Sequence, residues 1–483
     1  VSVGPLRPVE HHRFAAGGRR CFFRVERREN DPVPFGELDD GTWRALARLE
    51  SDPMAPVSAD VERRLRASRL VRNAFETDLD TATRDQEVMA TWRALDAPVD
   101  ELSLLVAQTC NMRCIYCYAD HGDYGGDRSG LMSRDTALAA IDWLLEASGD
   151  RDEVVVRFFG GEPLLNMPVV RAATEHALAA AEKRGKRVVF EINTNGTLLD
   201  DQTVDFLARN RFRVRVSVDG PPSVHDRNRP LAGGRPSSHL VAAGIRRLLA
   251  ALPDASGRAT LVNAGELEEV RAALADMGFG SFDILPASPT GSGEEGVAAR
   301  RRESLTARLE HHGDALEELL RCARERDVAG LQRLSPDPDL LGKLRDVEDP
   351  HGRRYFRCSA ARSYCVVDTA GDLFPCQRFA GDPSHRIGSL GQGLTDRGRY
   401  LDSAVVRSAT CSDCWARYVC GGGCAFDNQV ASGSVFEPDP VYCDFVRGTI
   451  ELVVGALCRL DGADRRFLAE QGALPARVCP LDL

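Results

Sequence analysis

The chain has 483 residues, is 43% hydrophobic, 28% charged and only 6% aromatic, and carries a net charge of −10. That composition excludes collagenous and extensively disordered classes, and the acidic balance argues against a nucleic-acid partner, whose recognition needs a basic footprint. The length predicts two or three domains, and the absence of any run of about 18 apolar residues predicts no membrane partner.

In chain order, "RFAAGGRRCFFRVERREN" reads as two strands about a Gly-Gly turn. "LDDGTWRALARLE" and "SADVERRLRASRLV" read as helices opened by Asp and Ser caps. A polar connector follows from about Thr77 to Pro98. From Leu102 to Pro286 the rhythm changes, with "LSLLVA", "VVVRFF", "RVVFEINT", "RVRVSV", "RATLVN" and "FDILP" as strand candidates. Between them stand "RDTALAAIDWLLEAS", "VVRAATEHALAAAEK", "DQTVDFLARN", "SHLVAAGIRRLLAAL" and "LEEVRAALADM", whose apolar positions recur at helical spacing. Repeated strand-helix units predict an α/β fold with a parallel sheet, open or curled into a full or partial barrel. The chemistry of such folds sits at the C-terminal strand ends, where "TCNMRC", "GGEP", "NTNG" and "SVDG" fall. A helical linker over 301–350 leads to a Cys- and Gly-rich region over 351–450, then a tail over 451–483. The Cys-rich region has little periodicity, so bound metal is expected to hold it.

Fifteen cysteines is a high and odd number. The N-terminal "VSVGPLRPVEHHRF" lacks the order of a secretion signal, so a cytoplasmic location is expected, where such cysteines point to metal or redox chemistry. In "TCNMRCIYCYADHGDYG" three of them, Cys110, Cys114 and Cys117, are spaced C-x3-C-x2-C. A tetrahedral structural zinc wants four protein ligands, and a four-iron cluster is normally held by four thiolates. Three leave one position open for a ligand; the rival is a zinc site that borrows a distant fourth residue.

On this loop the sequence resembles the radical SAM superfamily, whose three-cysteine loop binds a [4Fe-4S] cluster that chelates S-adenosylmethionine. The resemblance implies a partial (β/α)6 TIM-like barrel over 99–300. Tyr116 matches the aromatic residue before the third cysteine. Gly160, Gly161, Glu162 and Pro163 match the segment that contacts the methionine amino group, and "NTNG" with Asn195 matches a later strand end. Ser217 and Arg229 would help to hold the cofactor, and Asp219 would lie near the substrate. His225 and Asp226 are open to a plain helix-capping role.

"CSDCWARYVCGGGC" and the G-x4-C of "GDLFPC" resemble the SPASM domain, which carries two auxiliary clusters. The family pattern implies Cys358, Cys365, Cys376 and Cys424 for the first and Cys411, Cys414, Cys420 and Cys443 for the second, three [4Fe-4S] clusters in all. A pair of zinc ribbons is the alternative. Cys21, Cys322, Cys458 and Cys479 match nothing and are expected to be small buried residues.

The activity this implies is reductive release of a 5′-deoxyadenosyl radical that takes hydrogen from an unactivated carbon. One SPASM branch oxidises a Cys or Ser of sulfatases and commonly has Asp after the "PC" cysteine, where this chain has Gln377. Glutamine is no general base at neutral pH, so the resemblance favours peptide-modifying enzymes that install thioether or carbon-carbon cross-links, including maturases of the quinohemoprotein amine dehydrogenase type. Residues 1–98 resemble a winged-helix-like peptide-recognition domain, which takes a peptide as an added strand; a structural cap is the alternative. The expected partners are a ribosomally made precursor peptide or small protein and a reductant such as a flavodoxin or ferredoxin. Formylglycine formation, epimerisation and a non-enzymatic iron-sulfur electron-transfer scaffold are the other readings.

Overall fold

A computed structural model describes residues 6–25, 34–73, 85–90, 98–124, 130–287, 295–334, 338–349 and 352–474. The expected connector from Thr77 to Pro98 lies mostly outside them, as does Cys479 of the tail. In the N-terminal block β1 (Leu6–Pro8) pairs with β5 (Val71–Asn73), and β2 (His11–Ala16), β3 (Arg19–Arg24) and β4 (Phe35–Glu37) form an antiparallel sheet. Helices α1 (Asp40–Ser51) and α2 (Ala59–Ala67) begin where Asp39 accepts from the Gly41 and Thr42 amides and Ser58 from that of Val61. Alternation along β3 sends Phe22 into a core with Leu46, Leu49 and Leu65, and Cys21 and Phe23 into another with C-terminal residues. Both faces of this sheet are therefore covered.

All six strand candidates between Leu102 and Pro286 form. They are β6 (Glu101–Gln108), β8 (Glu153–Gly160), β9 (Arg187–Thr194), β10 (Arg213–Ser217), β11 (Ser256–Leu261) and β12 (Phe282–Pro286), each parallel to the next. The short β7 (Gly130–Leu131) pairs antiparallel with β6. The intervening helices are α3 (Arg134–Ala147), α4 (Met167–Glu182), α5 (Asp201–Arg209), α6 (Pro222–Asn228), α7 (Ser238–Ala251) and α8 (Leu267–Asp276). This is the arrangement of a partial (β/α) barrel. One sheet face carries Val154, Val156, Phe158, Phe190, Ile192, Val214 and Val216 into a core with Ile141, Leu144, Val170 and Leu248 of the helices. The other is charged, with Arg157 Nη2 2.7 Å from Glu191 Oε2 and Arg258 Nη2 3.1 Å from Asp283 Oδ2. Period-two alternation thus separates a helix-packed face from a polar one.

The Cys-rich region does not stand apart. Its first strand, β13 (Tyr364–Val367), lies parallel to β6 on the side opposite β8, and β14 (Asp372–Phe374), β15 (Gly388–Ser389) and β16 (Gly393–Leu394) continue the same sheet. The long helix α9 (Glu295–Glu325) runs across 300/301, and, beyond α10 (Ala425–Ser432), helix α11 (Pro440–Leu457) runs across 450/451. Helix α11 buries Phe445, Val446, Ile450, Val453, Val454 and Leu457 in one core with Leu316, Leu319 and Leu320 of α9. Apolar burial, as well as any metal, therefore holds the C-terminal region. A Cβ at Gly455 would come within 2.6 Å of the Ala16 Cβ, which records how closely β2 lies on α11. Among the described residues no helix is long and apolar enough to cross a membrane.

Phe190 is 2% exposed, with its ring centroid 5.2 Å from Phe212 and 6.4 Å from Phe158. Phe190→Ala is expected to destabilise the chain by about 3–5 kcal/mol in chemical denaturation; a loss well below that range would show that the face is loosely packed.

Candidate active site

The loop after β6 has little regular structure, a single 3-10 turn at Asp120–Gly122 and a lone bridge from Met112 to Leu231, and backbone from two neighbours holds it. On one side Arg113 donates its amide to the Pro230 carbonyl at 2.8 Å, Ile115 to that of Asn228 at 3.0 Å, and Ala232 to that of Asn111 at 2.9 Å. On the other, the amides of Gly161 and Glu162 donate to the carbonyls of Ala107 and Thr109 at 2.8 and 3.1 Å. The two glycines are needed for this second contact. A Cβ at Gly160 would lie 2.2 Å from the Ala107 oxygen, and one at Gly161 2.4 Å from that of Thr109 and 2.8 Å from the Gly122 Cα. Their small size serves packing of strand end against loop.

Glu162 is fully buried. Its Oε1 accepts from the Leu164 amide at 3.0 Å and the Thr194 hydroxyl at 2.8 Å, and its Oε2 from the Asn195 amide at 2.7 Å. It thereby ties the end of β8 to the end of β9. Pro163 is buried at the start of the turn that follows. Asn195 extends the brace: its side-chain Nδ2 donates to Asn111 Oδ1 at 2.8 Å and reaches the Cys110 sulfur at 3.8 Å. Asn111 and Thr194, which sequence reading passed over, complete this network; the "CN" and "NTN" contexts were their only sequence signal.

Tyr116 turns inward, donating its hydroxyl to Asp219 Oδ2 at 2.6 Å and accepting from Arg229 Nη1 at 2.5 Å. Asp219 has no exposure, and its Oδ1 accepts the Thr260 amide at 3.0 Å. Asp219 lies beneath the loop, where it orients Tyr116 and Arg229. Arg229 Nε is buried and meets no hydrogen-bond partner, an orphaned donor beside the thiols that suits an anionic ligand group. Ser217 ends β10, half-buried, on the polar face. The Asp219 amide donates to His225 Nδ1 at 3.2 Å, and burial depresses the imidazole to about 3, so the ring is neutral and able to accept. Asp226 accepts from the Ser237 and Ser238 amides at the start of α7, a capping role.

Cys110, Cys114 and Cys117 are partly buried. Burial, with Cys114 and Cys117 nearby, pushes the Cys110 thiol up to about 12, and burial raises that of Cys114. Positive charge supplied by a metal group is what would let such thiols ionise.

Seven further cysteines gather in two places. Cys411, Cys414, Cys420 and Cys443 line one small cavity of about 30 Å³. Cys358, Cys376 and Cys424 form the second group, each of the first two thiols being raised chiefly by burial and further by its neighbours. Cys365 does not join them. It pairs in register with Leu102 and packs into the barrel core with no exposure, because alternation on β13 gives the opposite face to Tyr364 and Val366. No three sulfurs of these groups come within 4.8 Å of one another; the one set of donors that tight among the described residues is Glu318, Cys322 and Asp327. There Arg321 Nη2 already sits 2.7 Å from both carboxylates. Gln377 accepts the Tyr364 hydroxyl at 2.7 Å.

Residues 104–277 match the family model of the radical SAM superfamily. An uncharacterized protein, MJ0907, of Methanocaldococcus jannaschii is 31% identical over 137 residues, 28% of this chain and 44% of that one. A serine-type anaerobic sulfatase-maturating enzyme of Bacteroides thetaiotaomicron is 34% identical over 146 residues, 30% of this chain and 34% of that one. The chain thus spans less than half the length of these curated relatives. The structure of native anSMEcpe with bound AdoMet and Cp18Cys peptide is similar in fold, with a TM-score of 0.57 and 19% identity, covering 78% of this chain and 99% of that one.

Burial raises the Glu162 carboxyl from 4.5 to about 7 against the pull of its three donors. A carboxyl raised on folding stabilises below its unfolded value, and that stability is lost as pH rises through the folded one. Relative to E162Q, the cluster-free chain is expected to lose about 3 kcal/mol of unfolding free energy between pH 4.5 and 7 in urea titrations; a flat difference would mean the donors hold Glu162 ionised throughout.

Proposed function

We propose, from the radical SAM domain that residues 104–277 form, that this chain is an S-adenosylmethionine-dependent enzyme that oxidatively modifies a peptide or a segment of a small protein. The observation that carries the reading is the three-thiol loop whose Tyr116 is fixed by Asp219 and Arg229, with a buried donor of Arg229 left over beside it. When bound, a [4Fe-4S] cluster with S-adenosylmethionine supplies one-electron cleavage of the sulfonium and hence hydrogen abstraction from carbon. Cys110, Cys114 and Cys117 would hold the cluster. Arg229 and Ser217 would hold the cofactor's polar groups, while Glu162, Asn195 and Asp219 keep the loop and its neighbours in place.

Two further clusters are assigned to the other thiol groups: Cys411, Cys414, Cys420 and Cys443 for one, Cys358, Cys376 and Cys424 for the other, with Cys365 left in the core. Residues 351–450 are read as a SPASM domain and 1–98 as a peptide-recognition domain of winged-helix type. The latter is supported by β2, an edge strand next to β3. A cytoplasmic location and an external flavodoxin or ferredoxin complete the reading.

On substrate chemistry the relatives weigh toward oxidation of a Ser or Cys side chain to formylglycine, since a sulfatase-maturating enzyme stands among them and anSMEcpe is similar in fold. A specific observation favours the second reading, an intramolecular cross-link: Gln377 stands where a proton-accepting Asp is expected and is held by Tyr364.

Anaerobically reconstituted, reduced protein is expected to release 5′-deoxyadenosine from S-adenosylmethionine, and C110A, C114A or C117A to lose that release by at least about a hundredfold; turnover retained in any of the three would refute the assignment. With Ser- and Cys-containing peptides, an aldehyde captured by hydrazide would establish formylglycine, whereas loss of a pair of hydrogens without an aldehyde would establish the cross-link.

A further inference from the structure

Two residues beyond Cys376, Arg378 reaches across to the next thiol. Its Nη1 donates to the Cys424 sulfur at 3.6 Å and lies 2.8 Å from Asp427 Oδ1. The guanidinium stacks 4.3 Å over the Phe426 ring and 5.5 Å over that of Tyr118, the neighbour of Cys117. The side chain is 17% exposed and Asp427 14%. Asp427 is also shared: its Oδ2 lies 3.1 Å from Arg301 Nη2, and Arg301 Nε lies 2.8 Å from Asp439 Oδ2. A carboxylate divided between two guanidiniums leaves Arg378 a hydrogen for sulfur. Cys424 is itself the N-cap residue of α10.

We propose that Arg378 sets the reduction potential of the cluster held by Cys358, Cys376 and Cys424, with Asp427 as its opposing charge. The inference rests on the reading of those cysteines as a cluster site. Reduction adds one electron to an already anionic, thiolate-bound group, so a buried cation that donates to a ligand sulfur stabilises the reduced state more than the oxidised one and raises the potential. A carboxylate beside it acts in the opposite sense. Arg378 is a positioning and tuning residue, since its atoms meet a ligand sulfur and not a substrate. A merely structural Arg378, serving only to fix α10 through Asp427, would leave the potential where it is.

The test is an anaerobic redox titration of the reconstituted full chain with dithionite, followed by electron paramagnetic resonance, with iron content measured alongside. R378Q is expected to move one cluster's midpoint to more negative values and D427N to move the same midpoint to more positive ones. R378K, which keeps the charge and loses the planar fork, should fall between R378Q and wild type, and the other two clusters should not move. R378Q at the wild-type midpoint, or shifted upward, with iron content unchanged, overturns the inference. Should R378Q lose iron, D427N decides: an unmoved or lowered midpoint overturns it. C376A separates the two levels, because unchanged iron content and signals in that variant would sink the cluster reading itself and not the tuning role alone.

Discussion

A loop that presents three thiols to a ligand cannot be held by burying those thiols, so its shape must come from outside it. Here it comes from backbone hydrogen bonds to residues 228–232 on one side and to the end of β8 on the other, with Gly160 and Gly161 allowing the second contact at van der Waals distance. Glu162 locks that contact by joining β8 to β9 through three hydrogen bonds to one buried carboxyl group. Hydrogen bonds of this kind contribute about 0.5–1.5 kcal/mol each and cost more when left unmade in the interior. The remainder of the site, including Tyr116 and Arg229, follows from where the loop is pinned.

The same economy of backbone recurs in the C-terminal region. Because β13 pairs with β6, the strand that leads into the three-thiol loop also carries the sheet whose β14 runs into Cys376. Tyr364 on β13 meets both Ser103 of β6 and Gln377 beside Cys376. Tyr118 then bridges the remaining distance through its contact with Arg378. One sheet and one aromatic-cation stack thus connect the three-thiol loop to Cys376 and Cys424. The N-terminal sheet joins it separately, with one face on its own helices and the other on α9 and α11.

Much of this was legible in the sequence. The six barrel strands and their helices announce themselves because one sheet face is apolar at period two and each helix has one apolar stripe, patterns that need no partner to be read. The Asp39 and Ser58 caps were legible for the same reason, being local. Helix α11 was not, although Val446, Ile450, Val453 and Leu457 recur at helical spacing, because it straddles the boundary at 450/451 between the Cys-rich region and the tail. The placing of Cys365 on the barrel-core face of β13 was not legible, because cysteine spacing along a chain carries no information about which face of a strand a residue takes.

What the sequence by itself determined are the identity and order of the chemical groups: three thiols in one loop, a Gly-Gly-Glu-Pro segment, and a second field of cysteines. These are local, covalent facts. Only the tertiary structure decided what each group faces. It turned Asp219 beneath the loop and made Glu162 a brace between strands. It also separated Cys365 from the other thiols and set Arg378 against Cys424. Each of these depends on strand pairing and side-chain direction between residues far apart in the chain, and those long-range contacts exist only once the sheet has closed around them.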